Sequence, residues 1–136
     1  AMALKINDSE VSADQPIVDA LARRALALDS DWEMGSIHEF FVSWESGRSS
    51  IGGSKEKALE HYQEALRLSR GKKASPHATY AESICIPEQD RAAFTASLEK
   101  ALAVDATAPN DQRLVNILVQ KRARWLLERV DEYFIE

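Results

Sequence analysis

The sequence predicts an all-α fold of stacked antiparallel helical hairpins, and three observations predict it. A phrase recurs: Arg24-Ala25-Leu26-Ala27-Leu28-Asp29 returns as Glu64-Ala65-Leu66-Arg67-Leu68-Ser69, then as Lys100-Ala101-Leu102-Ala103-Val104-Asp105. The copies are spaced by roughly 36–40 residues, the range in which each helical pair buries its apolar face only against its neighbours. Apolar residues recur at spacings of three and four, as in Ala58, Leu59, Tyr62, Ala65 and Leu66. Alternation of apolar and polar residues never lasts long enough to mark a strand.

The elements follow in order. Residues 1–14 are polar and weakly patterned, and read as a poorly ordered lead-in to a single domain, 1–136. Pro16 fits the first turn of a helix carrying Ile17, Leu21, Leu26 and Leu28. Asp29-Ser30-Asp31 breaks it and offers caps for a second helix with Trp32, Ile37, Phe40, Phe41 and Trp44. Gly47-Arg48-Ser49-Ser50-Ile51-Gly52-Gly53 is a loop, after which Ser54 caps a helix that Gly71 closes. A short helix runs from Pro76 to about Ile84, and Glu88-Gln89-Asp90 opens another through Phe94, Leu98 and Ala101. Pro109-Asn110-Asp111 begins the last helix, from Gln112 to Tyr133.

Composition narrows the function. A chain of 136 residues with 45% hydrophobic and 29% charged residues is an ordinary globular domain. Its net charge of −5 lies in the N-terminal part, which argues against a nucleic-acid partner. The one basic cluster, Arg67-Arg70-Lys72-Lys73, stands where a helix ends and complements its dipole. No run of apolar residues approaches a transmembrane span, and no signal peptide is present. Ala1 ahead of Met2 reads as a residue added in cloning, so the chain is expected to be a piece of a longer protein.

Candidate chemistry is sparse. The single cysteine, Cys85, lies in the apolar run Ile84-Cys85-Ile86 and reads as a packed small hydrophobe. Gly47-x-x-x-x-Gly52-Gly53-Ser54 lacks the lysine of a phosphate loop and follows an aromatic helix rather than a strand. His38-Glu39 lacks the second histidine of a zinc-protease motif, although folding could bring His38 and His61 together across a hairpin. No catalytic residue, metal site or cofactor is expected. Asn116 and Gln120, four apart on the last helix, should hydrogen-bond to neighbouring loop backbone. That helix is apolar almost all round, which suggests central burial or a homo-oligomer contact.

Ala58-x-x-x-Tyr62-x-x-Ala65 matches the second helix of a tetratricopeptide hairpin, and Phe94, Leu98 and Ala101 repeat its spacing. The array is therefore read as degenerate, tetratricopeptide-like and right-handed. First helices line the concave side of such stacks. Here that side would draw on His38, Glu39, Tyr80, Glu82, Gln89 and Arg91 as partner- or ligand-binding residues. An alternative makes Glu82 and Arg91 a structural pair.

Further residues carry a family resemblance. Trp32 with His38-Glu39, Gly52-Gly53-Ser54-Lys55 leading to Ala58, and Leu68-Ser69-x-Gly71 come first. Pro76, Tyr80-Ala81-Glu82, Gln89-Asp90-x-x-x-Phe94 and Arg113-Leu114-x-Asn116 with Arg122-Ala123 follow in order. In this order and spacing the chain resembles the T component (TatT) of tripartite ATP-independent periplasmic (TRAP) transporters. The resemblance implies a tetratricopeptide-like protein with no enzymatic activity, periplasmic and lipid-anchored when full-length. It also implies a periplasmic solute-binding protein as partner, and oligomers with a pore through each subunit. The chain would be the C-terminal part, since the signal and the lipid-attachment cysteine are missing. Two other readings stand beside it: a general tetratricopeptide adaptor, and a small metal-dependent enzyme using His38, Glu39 and His61.

Overall fold

The structure, a computed structural model, describes residues 9–108 and 110–135. Among these the chain forms seven α-helices and no strand, the all-α class that its periodicity predicts. Residues 1–8 of the expected lead-in lie outside the described residues, as does Pro109. The rest of that lead-in is helical: α1 spans Ser9–Leu28 and carries Pro16 in its interior instead of its first turn.

Helix α2, Trp32–Gly47, starts irregularly, with Glu33, Met34 and Gly35 at φ of 48°, 52° and 86°. Glycine is needed at position 35, because a Cβ there would come within 3.2 Å of the Ala65 Cα on α3, Lys55–Ser69. That close approach is what the small residues of the repeat allow: Ala58 and Ala65 are fully buried, and Tyr62 nearly so. The loop before α3 folds back so tightly that a Cβ on Gly53 would lie 2.2 Å from the Glu45 carbonyl oxygen. Ser54 then caps α3, its hydroxyl accepting from the Lys57 N–H at 3.2 Å. The chain leaves α3 through left-handed Arg70 and Gly71.

Helix α4, Ser75–Tyr80, does not continue as a regular helix to Ile84. It passes into a π-helical stretch, Ala81–Cys85. Asp90 caps α5, Arg91–Ala103, accepting from the Ala93 N–H at 2.9 Å. The expected long terminal helix is split. Helix α6 spans Arg113–Glu128, the backbone departs from helix at Arg129, and α7 covers Val130–Tyr133.

Consecutive helices pack on one another around adjoining apolar clusters. One gathers Phe94, Leu98 and Ala101 of α5 with Ala123, Leu126 and Phe134 from the C-terminal region. The other joins Val42, Ala58, Tyr62 and Ile84. The face of α6 turned inward is Asn116, Gln120, Ala123 and Leu126. Asn116 accepts from the Ala74 N–H at 2.9 Å and donates to the Lys72 carbonyl at 2.7 Å. Gln120 donates to the carbonyls of Ala101, Leu102 and Val104. Both amides bond loop and helix-end backbone, as their spacing predicts.

Helix α1 is held mainly by polar groups. Arg23 reaches the buried Glu45 at 2.8 Å, and the Trp44 indole N–H donates to Asp19 at 2.9 Å. The other oxygen of Glu45 accepts the Ser54 N–H, so one carboxylate ties α1 and α2 to the start of α3.

Candidate functional site

The six residues that the sequence singles out do not converge on one cleft. His38 and Glu39 both stand on α2, but only His38 meets α3. His38 Nδ1 lies 2.8 Å from His61 Nδ1, so the hairpin does bring these two histidines together. The His61 ring also stacks on Phe41, 4.9 Å between centroids. Glu39 pairs with Lys73, whose side chain is 3% exposed. The same ammonium donates to the Glu33 carbonyl at 3.1 Å and to the Ser36 hydroxyl at 2.9 Å. Lys73 is thus an interior anchor for the irregular start of α2, not a solvated cation at a helix end. Among the described residues, no group of three His, Cys, Asp or Glu side chains is placed to hold a metal ion.

Glu82, Gln89 and Arg91 are tied to the C-terminal region. Glu82 pairs with Arg122 of α6 at 2.6 Å, and Arg91 pairs with Asp131 of α7. They do not pair with each other. Gln89 has φ of 54°, a left-handed turn that a non-glycine residue adopts only when its surroundings hold it there. Its amide donates to the carbonyls of Ile86 and Tyr133 and accepts the Ile135 N–H.

Of the six, Tyr80 lines a polar cleft. A hollow of about 290 Å³ lies beside the π-helical stretch, and Lys55, Leu59, Tyr80, Cys85, Glu88 and Asp90 form its wall. π-Helical turns recur at functional sites, because the extra residue re-aims the side chains around it. The Tyr80 ring is fixed by stacking on Tyr62, 4.4 Å between centroids. Burial, reinforced by the neighbouring Cys85, pushes the Tyr80 phenol up to about 12. Burial likewise pushes the Cys85 thiol up to about 11. At neutral pH both therefore keep their protons. Lys55 and Glu88 form an ion pair at 2.6 Å, and one oxygen of Asp90 caps α5. The cleft offers a phenol, an ion pair and an apolar floor, which suits binding a polar group more than activating a nucleophile.

Sequence reasoning found Tyr80 but missed Lys55, Glu88 and Cys85 as its neighbours in the cleft. Lys55 and Glu88 are far apart in sequence, and the π-turn that brings them together has no glycine or proline within it. The nearest punctuation, Pro87, comes after the turn.

None of the described helices is long and apolar enough to cross a membrane. The chain is 32% identical over 117 residues to an uncharacterized protein of Treponema pallidum (strain Nichols). That similarity covers 85% of this chain but 36% of the relative. The family model of the TRAP transporter T-component matches residues 1–134. The chain belongs to the TRAP transporter T-component family.

Proposed function

We propose that this chain is a non-catalytic accessory protein of TRAP-type solute uptake that contacts the periplasmic solute-binding protein of its system. The observation that carries the reading is the family match over residues 1–134, which gives the chain a role in a TRAP transport system. In this reading the protein works in the periplasm, lipid-anchored when full-length, and its helical hairpins form a degenerate tetratricopeptide-like array that presents a partner surface.

The contact is assigned to the cleft at Tyr80 and to Glu82, Gln89 and Arg91, which stand on the same π-turn, the loop after it and the start of α5. His38 and Glu39 support that surface indirectly, by fastening α2 to α3 and to Lys73 beyond it. The absence of catalysis is supported by the protonated Cys85 thiol, which is a poor nucleophile at neutral pH. Calorimetric titration of the chain with the solute-binding protein of the same TRAP system tests the proposal. Saturable binding is expected, weakened by Arg91→Glu. No heat and no co-migration by size exclusion, with or without the transported solute, would overturn it.

A further inference from the structure

We propose that the outward face of α6 is a membrane-surface contact, laying an apolar stripe and the cations beside it on a bilayer that contains anionic lipid. The side chains that α6 turns into the fold decide which face is outward. Asn116, Gln120 and Ala123 are buried, so Leu114, Leu118 and Trp125 stand on the opposite side of the same turns. These three are 68%, 57% and 40% exposed, and Ile117 near them is 42% exposed. The stripe runs along the helix for about 16 Å. Single exposed apolar residues are ordinary, but a continuous stripe rimmed by charge marks an interaction surface.

The rim is basic. From Arg113 to Arg129 the chain carries Arg113, Lys121, Arg122, Arg124 and Arg129 against a single acidic residue, Glu128, although its net charge is −5. Helical spacing puts Arg113, Lys121 and Arg124 on one flank of the stripe and Arg122 and Arg129 on the other. The last two hold their guanidinium groups over the Trp125 ring, 5.0 and 4.5 Å from its centre. Of the surrounding carboxylates, Glu82 pairs with Arg122, Glu128 with Arg129 and Asp131 with Arg91. An interfacial helix has this make-up: leucines enter the acyl boundary, tryptophan sits at headgroup level and cations meet lipid phosphate. A basic ridge on an acidic chain selects an anionic surface. The contact is peripheral, because none of the described helices is long and apolar enough to cross a membrane.

Sedimentation of the chain with vesicles of equal parts phosphatidylglycerol and phosphatidylcholine tests this. Binding is expected there and not on pure phosphatidylcholine, and it should fall as salt is added. Leu118→Ser and Lys121→Glu change exposed positions, so both should keep the parent melting temperature. Each should weaken vesicle binding, Lys121→Glu by at least about fivefold, the share of one cation near an anionic surface. Leu21→Ser, in the exposed apolar groove between α1 and α2, should bind as the parent does. Equal binding to the two kinds of vesicle overturns the proposal, as does either α6 variant that binds like the parent. So does a chain that stays in solution beside anionic vesicles; self-association lost in Leu118→Ser would then identify a second copy as what covers α6.

Discussion

His38 Nδ1 and His61 Nδ1 face each other at 2.8 Å across the contact of α2 and α3. One ring must donate and the other accept, so the pair is satisfied only while at least one facing nitrogen is unprotonated. Burial lowers both pKa values below the usual histidine range, and the charge of His38 opposes that of His61 further. Glu64 and Asp31 beside His38, and Glu45 and Glu60 beside His61, act the other way, while Arg67 and Arg23 add to the lowering. Burial lowers His77 as well, and its Nδ1 lies 3.2 Å from the Tyr62 hydroxyl.

These shifts predict an acid limb in stability. A histidine with a depressed folded pKa contributes stability that is complete above its unfolded value of about 6.5 and lost as pH falls through the folded value. The melting temperature should therefore decline on acidification below about pH 6.5. His61→Phe preserves the stack on Phe41 and should flatten the slope. A melting temperature that holds steady to about pH 5 in the parent chain would refute this.

The Lys73–Glu39 pair predicts a large stability effect away from any surface. Removing one partner of a buried ion pair costs about 3–5 kcal/mol, because the other charge stays buried. Glu39→Gln should lose about that much in urea unfolding, and Lys73→Met should lose more of the α2 start, where Lys73 also holds Glu33 and Ser36. A Glu39→Gln loss below about 1 kcal/mol would show that solvent already reaches the pair.

What the sequence made legible here is mostly local chemistry. Ser54 and Asp90 announce their helices because a cap needs only a side-chain oxygen and the N–H groups that follow it. Ala58, Ala65 and Ala101 announce the helix contacts because only a small residue permits such an approach. Groups whose role depends on a distant partner were not legible. Lys73 reads as a helix-end cation until α2 supplies Glu39, and Gln89 reads as a helix opener until the C-terminal residues reach its amide. On α6 the apolar excess is plain in sequence, but which face turns inward is decided by the backbone groups that Asn116 and Gln120 satisfy.

Asn116 should be the costliest polar position on α6. It is fully buried and serves both Ala74 and Lys72. Asn116→Leu strands a buried N–H and a carbonyl, at about 1–3 kcal/mol for each group left unsatisfied. Asn116→Asp keeps the acceptor for Ala74 and should cost less near pH 4 than at pH 7, where its charge is buried; this comparison rests on burial costs of about 2 kcal/mol or more. Chemical denaturation at the two pH values measures it.

The repeat itself is tested by overpacking. Ala65 and Ala101 have no exposed surface, and Ala→Leu at such a site forces neighbours apart at about 1–3 kcal/mol. Ala65→Leu should do so at the Gly35 contact, loosening α2 from α3. Ala101→Leu should act in the cluster shared by α5 and α6. Unchanged thermal melts for both would mean that the helices do not approach as closely as the small residues allow.

The cleft at the π-turn is tested by separating its stability from its binding. Tyr80→Phe keeps the stack on Tyr62 and removes only the hydroxyl. Glu82→Gln breaks an ion pair with Arg122 that is partly exposed, so its stability cost should lie within about 1 kcal/mol. Both variants should melt close to the parent and bind the solute-binding protein more weakly. Glu39→Gln serves as the contrast, because its buried pair with Lys73 makes it melt lower whatever its effect on binding. If Tyr80→Phe and Glu82→Gln bind as the parent does, the partner does not touch the π-turn. The residues there would then serve only to fasten the C-terminal region to the rest of the chain, as the bonds from Gln89 to Tyr133 and Ile135 already do.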